Sequence, residues 1–261
     1  MRVETHGDVV RLRMQSLGSR AVGLDVSAYI LHGVMIDTGF HRARRSLVQA
    51  ATEHGVHGVI VTHWHEDHAG NVGALAERGL PVTMRRDTEA TLRARPSIRL
   101  YRRVVWGYAP PLASVLLAAA PSSIQCIHTP GHSTDHQVVW DAETGTLFSG
   151  DLWLGVRSKV LHATEDPYLI IRSLRAVQAL APGRMFDAHR GPVARPTDAI
   201  AAKIQWLGDT LQTIERRIGD GWNDRAIVRR ILGGEETAAL VSGGDYSRRN
   251  LVKAVRQHLV R

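Results

Sequence analysis

In the stretch Thr62-His63-Trp64-His65-Glu66-Asp67-His68-Ala69-Gly70, three histidines and an aspartate occupy adjacent or alternate positions directly behind the apolar run Val59-Ile60-Val61. Such a run, bounded by polar residues, reads as a short buried strand. A tight turn after a strand fans closely spaced side chains around one point instead of sending them alternately to the two faces of a sheet. Imidazole nitrogens beside a carboxylate suit zinc or iron, and their number here points to more than one ion. Drawn at random from this composition, a His-x-His-x-Asp-His string arises in roughly two chains per thousand, so a merely polar turn is a poor account of it. Histidine is also unevenly distributed: of 14, five lie between His54 and His68 and three between His128 and His136.

Up to about residue 195 strand-like and helix-like patches alternate, which predicts an α/β architecture. Strands are expected at Val9–Met14, Ala28–Ile36, Val59–Thr62, Pro81–Met84, Ile124–His128, His136–Trp140, Thr146–Ser149 and Arg184–Ala188, with helices at Arg44–His54 and Ala69–Arg78. Residues 85–121 interrupt the alternation with seven arginines up to Arg103, then Tyr101, Trp106, Tyr108 and a Pro110-Pro111 break. This reads as an inserted helical segment able to cap a cleft. Beyond Pro196, apolar residues at Ile200, Ile204, Leu207, Leu211, Ile214 and Ile218 mark one face of a long helix, with Thr197 as its expected N-cap. Two shorter helices are expected around Asp224–Leu232 and Ser247–Leu259. The expected organisation is a catalytic domain at 1–195 and a helical appendage at 196–261.

Composition narrows the class. At 44% hydrophobic and 22% charged residues the chain is neither disordered nor fibrous. No apolar run has the roughly 20 residues a membrane span needs. The segment Met1–Asp8 lacks the apolar core of a signal peptide, and a lone Cys126 makes no internal disulfide, so a cytoplasmic location is expected. A net charge of +8 favours anionic partners, although basicity by itself specifies none.

Further ligand-type residues stand at strand ends: His132 after the Thr129-Pro130-Gly131 turn, Asp151 after Ser149-Gly150, and His189 after Met185-Phe186-Asp187-Ala188. With Asp37-Thr38-Gly39 and the histidine string, in this order, the chain resembles the metallo-β-lactamase-fold hydrolases over residues 37 to 189. The resemblance implies a four-layer αβ/βα sandwich with a C-terminal helical extension and two metal ions in a cleft at one edge. It implies that His63, His65 and His132 hold the first ion, that Asp67, His68 and His189 hold the second, and that Asp151 bridges both. Asp37 would support the ligands, and His136 would be structural. Two Zn2+ ions are the default, with iron or manganese acceptable to the same donors. A water bridging two such cations deprotonates near neutral pH and attacks the substrate, with Asp67 and Asp151 orienting it and passing on protons. Ser133 and Cys126 receive no catalytic role.

Branches of that family differ at a few positions. Asp151 stands where the true β-lactamases usually have a cysteine ligand, Leu154 where the homoserine-lactone hydrolases carry a tyrosine, and His65 where the oxygen-using di-iron branch has glutamate. The Thr-Pro-Gly-His-Ser turn is similar to that of the hydroxyacylglutathione hydrolases, which implies cleavage of an ester or thioester of a small, anionic molecule. Arg157 or Lys159 would then hold the anionic group. The alternatives are a lactonase or a single-stranded RNA endonuclease. For the latter, Tyr101, Trp106 and Tyr108 beside the arginine cluster would offer a basic stacking surface. Oligomeric state is silent in the sequence.

Overall fold

The computed structural model describes residues 1–94 and 97–260; Arg95 of the basic segment lies outside them, as do Pro96 and Arg261. In chain order the elements begin β1 (Arg2–His6), β2 (Val9–Met14), α1 (Leu17–Ala21), β3 (Val26–Leu31), β4 (Val34–Ile36), α2 (Arg44–Glu53), β5 (Gly58–Ile60), α3 (Val72–Ala76), β6 (Val82–Thr83), α4 (Arg86–Ala94) and α5 (Leu100–Val105). They continue with β7 (Ile124–His128), β8 (Gln137–Asp141), β9 (Thr146–Phe148), β10 (Leu161–His162), α6 (Pro167–Gln178), β11 (Arg184–Asp187) and β12 (Gly191–Pro192). The C-terminal part holds α7 (Pro196–Gly219), α8 (Asp224–Arg230), α9 (Thr237–Val241), β13 (Tyr246–Ser247) and α10 (Arg248–Leu259). Two compact units result: Met1–His128, Asp135–Asp151 and Gly183–Val193 form one, and Thr129–Thr134, Leu152–Pro182 and Ala194–Arg261 the other. Both units draw on residues before 195.

The first unit carries two sheets. One has the order β1-β2-β3-β4-β5-β6, antiparallel as far as β4 and parallel from β4 to β6. The other has the order β12-β11-β9-β8-β7, with a single parallel pair, β9 with β11. Period-two alternation divides the core. Val26, Ala28 and Ile30 of β3 pack with Leu47, Val48 and Ala51 of α2 and Val72 and Leu75 of α3, on the helical side. Tyr29 and Leu31 turn the other way and pack with Ile124, Val139, Phe148 and Phe186 of the second sheet. β3 and β4 are therefore buried on both faces, as a strand between a helical layer and another sheet must be. Each fully buried Leu, Ile or Phe contributes on the order of 1.5–3 kcal/mol to this arrangement. The buried Tyr29 hydroxyl donates to the Asp187 carbonyl at 2.6 Å, tying the first sheet to the end of β11. Burial pushes the Tyr29 phenol pKa above its ordinary value.

The expected single strand Ala28–Ile36 is a hairpin. His32 and Gly33 both take positive φ, +50° and +72°, the primed-turn backbone that matches strand twist. The helix expected at Ala69–Arg78 is only Val72–Ala76, because Ala69 and Gly70 belong to the turn that follows β5. At Gly70 a Cβ would lie 2.5 Å from the Glu66 carbonyl oxygen and 2.6 Å from the His41 nitrogen. Residues 85–121 hold α4 and α5 and then an extended stretch that bridges Leu117 to Val82.

The second unit holds α6 to α10, the short β10–β13 pair and the loops between them. Its α6 escaped the sequence reading, although Asp166 caps it through the Tyr168 and Leu169 N–H groups and Pro167 opens its first turn. α7 begins at Pro196, one residue ahead of the expected Thr197 cap. The Tyr168 hydroxyl donates to Glu215 Oε1 at 2.6 Å, joining α6 to α7. Among the described residues no helix is long and apolar enough to cross a membrane.

Candidate metal centre

β5 delivers the chain into a turn in which the His65 carbonyl accepts the N–H groups of His68 and Ala69 at 2.9 and 2.8 Å. The turn gathers donors. His63 Nε2 and His65 Nδ1 stand 2.9 Å apart, and with an Asp151 carboxylate oxygen these residues bring ligand atoms within 4.8 Å of one another. Asp67, His68 and His189 form an adjoining group with the same spread. Asp151 Oδ1 lies 3.3 Å from both His68 Nε2 and His189 Nε2, while Asp67 Oδ2 lies 3.8 and 3.5 Å from them. His63 and His68 are wholly buried, and His189 keeps partial exposure.

Asp37 organises two of these histidines. Its backbone is held at φ +59°, and its Oδ1 accepts the Thr62 N–H at 2.8 Å. Its Oδ2 accepts His68 Nδ1–H at 2.8 Å, which leaves Nε2 as the lone-pair nitrogen. The Thr62 hydroxyl sits between Asp37 and His63 Nδ1, 2.8 and 2.9 Å from them, so the same carboxylate reaches His63 through one side chain. His189 Nδ1 is fixed by the Asp25 carbonyl at 2.5 Å, and its backbone N–H donates to Asp187 Oδ1 at 3.0 Å.

His136, expected to be structural, accepts the Asp151 N–H on its Nε2 at 3.1 Å. The preceding Gly150 has φ +50°, and a Cβ there would lie 2.7 Å from that same nitrogen. Only glycine lets the chain turn so close to the imidazole.

The donors fit divalent cations. Bonds of about 2.0–2.2 Å in tetrahedral geometry place donor atoms roughly 3.3–3.6 Å apart, and the facing donor pairs here lie between 2.9 and 3.8 Å. His68 Nε2 is buried without a hydrogen-bond partner, a costly arrangement for a polar atom unless a cation faces it. The electrostatics agree. Burial disfavours a charged His68, but the carboxylates of Asp151, Asp67 and Asp37 outweigh it and push its pKa well above the ordinary value. At His189 burial again opposes the charge, and Asp151 and Asp67 prevail, pushing the pKa up to about 9. This cluster attracts positive charge.

Six of the seven expected ligands thus meet within the first unit, supported by Asp37. His132 belongs to the second unit, on the 129–134 loop, with its Nδ1 held by Glu165 Oε1 at 2.5 Å. The Trp106 ring packs on Phe40 and lies 6.2 Å from the His189 ring. Tyr108 lies under the Arg103 guanidinium at 4.7 Å, and Tyr101 is half-buried on α5. Arg157 is exposed on a turn. Lys159 donates to the Leu232 carbonyl at 3.2 Å and lines a cavity of about 280 Å³ with Trp206, Asp209 and Thr213 of α7.

Several supporting residues were not foreseen. Glu66 is held by Arg102, the Trp64 N–H by Asp135, and His132 by Glu165. Their partners lie 33 to 71 residues away, and no local pattern announces such pairs.

The sequence profile of the metallo-beta-lactamase superfamily matches residues 22–189, and the chain belongs to that family. Among its relatives is a Drosophila melanogaster protein named beta-lactamase-like protein 2 homolog, 29% identical over 77% of this chain and 74% of the relative. An Aspergillus fumigatus protein named atrochrysone carboxyl ACP thioesterase is 28% identical over 79% of this chain. The chain spans only 60% of that relative's length. A solved metallo-beta-lactamase family protein from Thermus thermophilus superposes with a TM-score of 0.66 at 18% identity, covering 97% of this chain and 93% of that one. The fold is therefore the metallo-β-lactamase fold, with mixed sheets and helices and helices at the C-terminal end.

Proposed function

We propose that this protein is a dinuclear, metal-dependent hydrolase of a small-molecule thioester or ester, with two zinc ions as the resident metal. The observation that carries the reading is Asp151 Oδ1, equidistant at 3.3 Å from His68 Nε2 and His189 Nε2, beside the converging His63 and His65 nitrogens. In the proposed ligand set His63, His65 and His132 would hold one ion and Asp67, His68 and His189 the other, with Asp151 available to both. Bound there, divalent cations would lower the pKa of water and neutralise charge developing on the substrate oxygen. The protein's own groups do the rest. Asp37 holds His68 in the tautomer that exposes Nε2, and the Asp25 carbonyl does the same for His189. Asp67 orients the attacking water, which adds to the carbonyl carbon, and a proton passes to the departing sulfur or oxygen as its bond to carbon breaks. Trp106, next to His189, is proposed as an apolar wall that excludes bulk water.

The thioester preference draws on the fungal relative's name and on the Thr129-to-Ser133 turn. The test combines metal analysis of the purified protein with turnover of an acyl-CoA, an acyl-glutathione, a lactone, a bis-phosphodiester and a single-stranded RNA. The expected result is about two zinc ions per chain and selective thioester turnover that Asp67→Ala and His132→Ala abolish without unfolding the protein. Full activity in either variant, or salt-sensitive turnover of the RNA alone, overturns it.

A further inference from the structure

We infer that Arg102, carried on the 85–121 segment, is a positioning residue for the metal loop and acts through Glu66 to fix the backbone that aims His65 and Asp67. The inference rests on the proposed reading of those two residues as ligands. Along residues 63–67, ahead of His68, the labour divides by parity. His63, His65 and Asp67 converge on the donor clusters, while Trp64 and Glu66 between them are gripped from outside. The Trp64 N–H donates to Asp135 Oδ2 at 2.9 Å, and the same oxygen accepts the Thr88 hydroxyl of α4 at 2.8 Å. Glu66 accepts two hydrogen bonds from one guanidinium, Arg102 Nε at 2.6 Å and Nη2 at 2.7 Å.

The pair is buried, with Glu66 7% and Arg102 8% exposed, and so differs from the solvent-screened ion pairs that Arg85 makes with Asp87 and Arg93 with Glu89. Two parallel bonds from a planar fork fix the carboxylate in angle as well as position. Glu66 is bonded to both His65 and Asp67, so rotation of its backbone moves one ligand on each side, and ligands tolerate only about 0.5 Å of such displacement. The platform behind Arg102 is itself anchored. Arg42 Nη1 donates to the Val104 carbonyl at 3.1 Å, Ser16 Oγ donates to the Val105 carbonyl, and Trp106 packs on Phe40 at 5.6 Å between ring centroids. Among the described residues, the one buried arginine of the basic segment is thus committed to the metal loop rather than to an anionic partner.

The test is titration of chelator-stripped protein with Zn2+ alone against a chromophoric competitor, for the wild type, Arg102→Met, Arg102→Lys and Leu47→Ala. Leu47 is a fully buried residue of α2 and serves as a control for general destabilisation. Arg102→Met is expected to weaken zinc binding about 10- to 100-fold, the usual effect of removing a group that orients ligands. Arg102→Lys, which keeps the charge but loses the fork, should fall between, and Leu47→Ala should bind zinc as the wild type does while melting earlier. If Arg102→Met alone fails to fold, the double variant Glu66→Leu/Arg102→Met replaces both charges with apolar groups, and its zinc affinity should fall by the same factor. Affinity within about threefold of wild type in whichever variant folds overturns the inference. A wild-type protein that binds no zinc overturns the ligand assignment as well, so the two failures are told apart.

Discussion

Asp37 shows how much one side chain can settle. It accepts from the Thr62 N–H, the Thr62 hydroxyl and His68 Nδ1, from a backbone at φ +59° that costs most residues energy but that Asp and Asn tolerate. Asp37→Asn therefore keeps the backbone and the bond to Thr62 while turning an amide donor toward His68. The imidazole would then move its proton to Nε2 and lose its metal-facing lone pair. The expected outcome is a metal-free melting temperature close to wild type and zinc affinity lower by about 10- to 100-fold. Equal zinc titration curves for the two proteins would refute this account of Asp37. Cys126 gives a contrasting case. Burial pushes its thiol up to about 11, so at a pH of about 8 only about one molecule in a thousand carries the thiolate that reacts. Iodoacetamide should label it slowly in the native protein and fast in urea. Rapid labelling of the native protein would show that the thiol is not held as described.

At the scale of elements, α6 depends on a cap that the local sequence already encodes. Asp166 Oδ1 accepts the Tyr168 and Leu169 N–H groups at 2.9 and 3.1 Å, and Pro167 follows it with no N–H to satisfy. Asp166→Ala should cost about 1 kcal/mol, read as a lower urea midpoint with an unchanged slope; an unaltered midpoint would mean the cap contributes nothing. The Asp166-Pro167 pair is a start signal that the local sequence carries in full. Other differences had no local signal at all. α3 loses its expected first turn because Gly70 is pressed against Glu66, His41 and Gly39, and because the Asn71 side chain donates to the carbonyls of Thr38 and Phe40. Helical propensity at Ala69 is overridden by contacts to residues some thirty positions earlier. The β-strands that flank the site were readable from apolar runs, and the histidines and aspartates at their ends stood out through the histidine string and the family resemblance. The groups that hold those side chains in place were not legible, since a carbonyl such as that of Asp25 leaves no trace in composition. The arginine cluster was visible as charge, but which arginine is buried depends on where Glu66 lies.

At the scale of the molecule, the first unit is assembled from three separated stretches, and its proposed ligand residues at 63–68, 151 and 189 fall one group on each stretch. Bringing points this far apart in sequence to one place costs conformational entropy, and it crowds the carboxylates of Asp37, Asp67 and Asp151 around His68 and His189. Cations held at that point, as proposed, would offset the repulsion and bind only the folded chain, and so would stabilise it by mass action. Free zinc at about 100 times its dissociation constant adds about 2.7 kcal/mol, and for a chain of this size each kcal/mol moves the melting temperature by roughly 2–4 °C. Removing metal with a chelator should therefore lower the calorimetric melting temperature by about 5–10 °C, and restoring zinc should reverse the loss. In Asp67→Ala the same treatment should produce a smaller shift, because one carboxylate donor and one source of repulsion are gone together. A wild-type transition indifferent to chelator would mean that the histidines and aspartates converge for a reason other than holding metal.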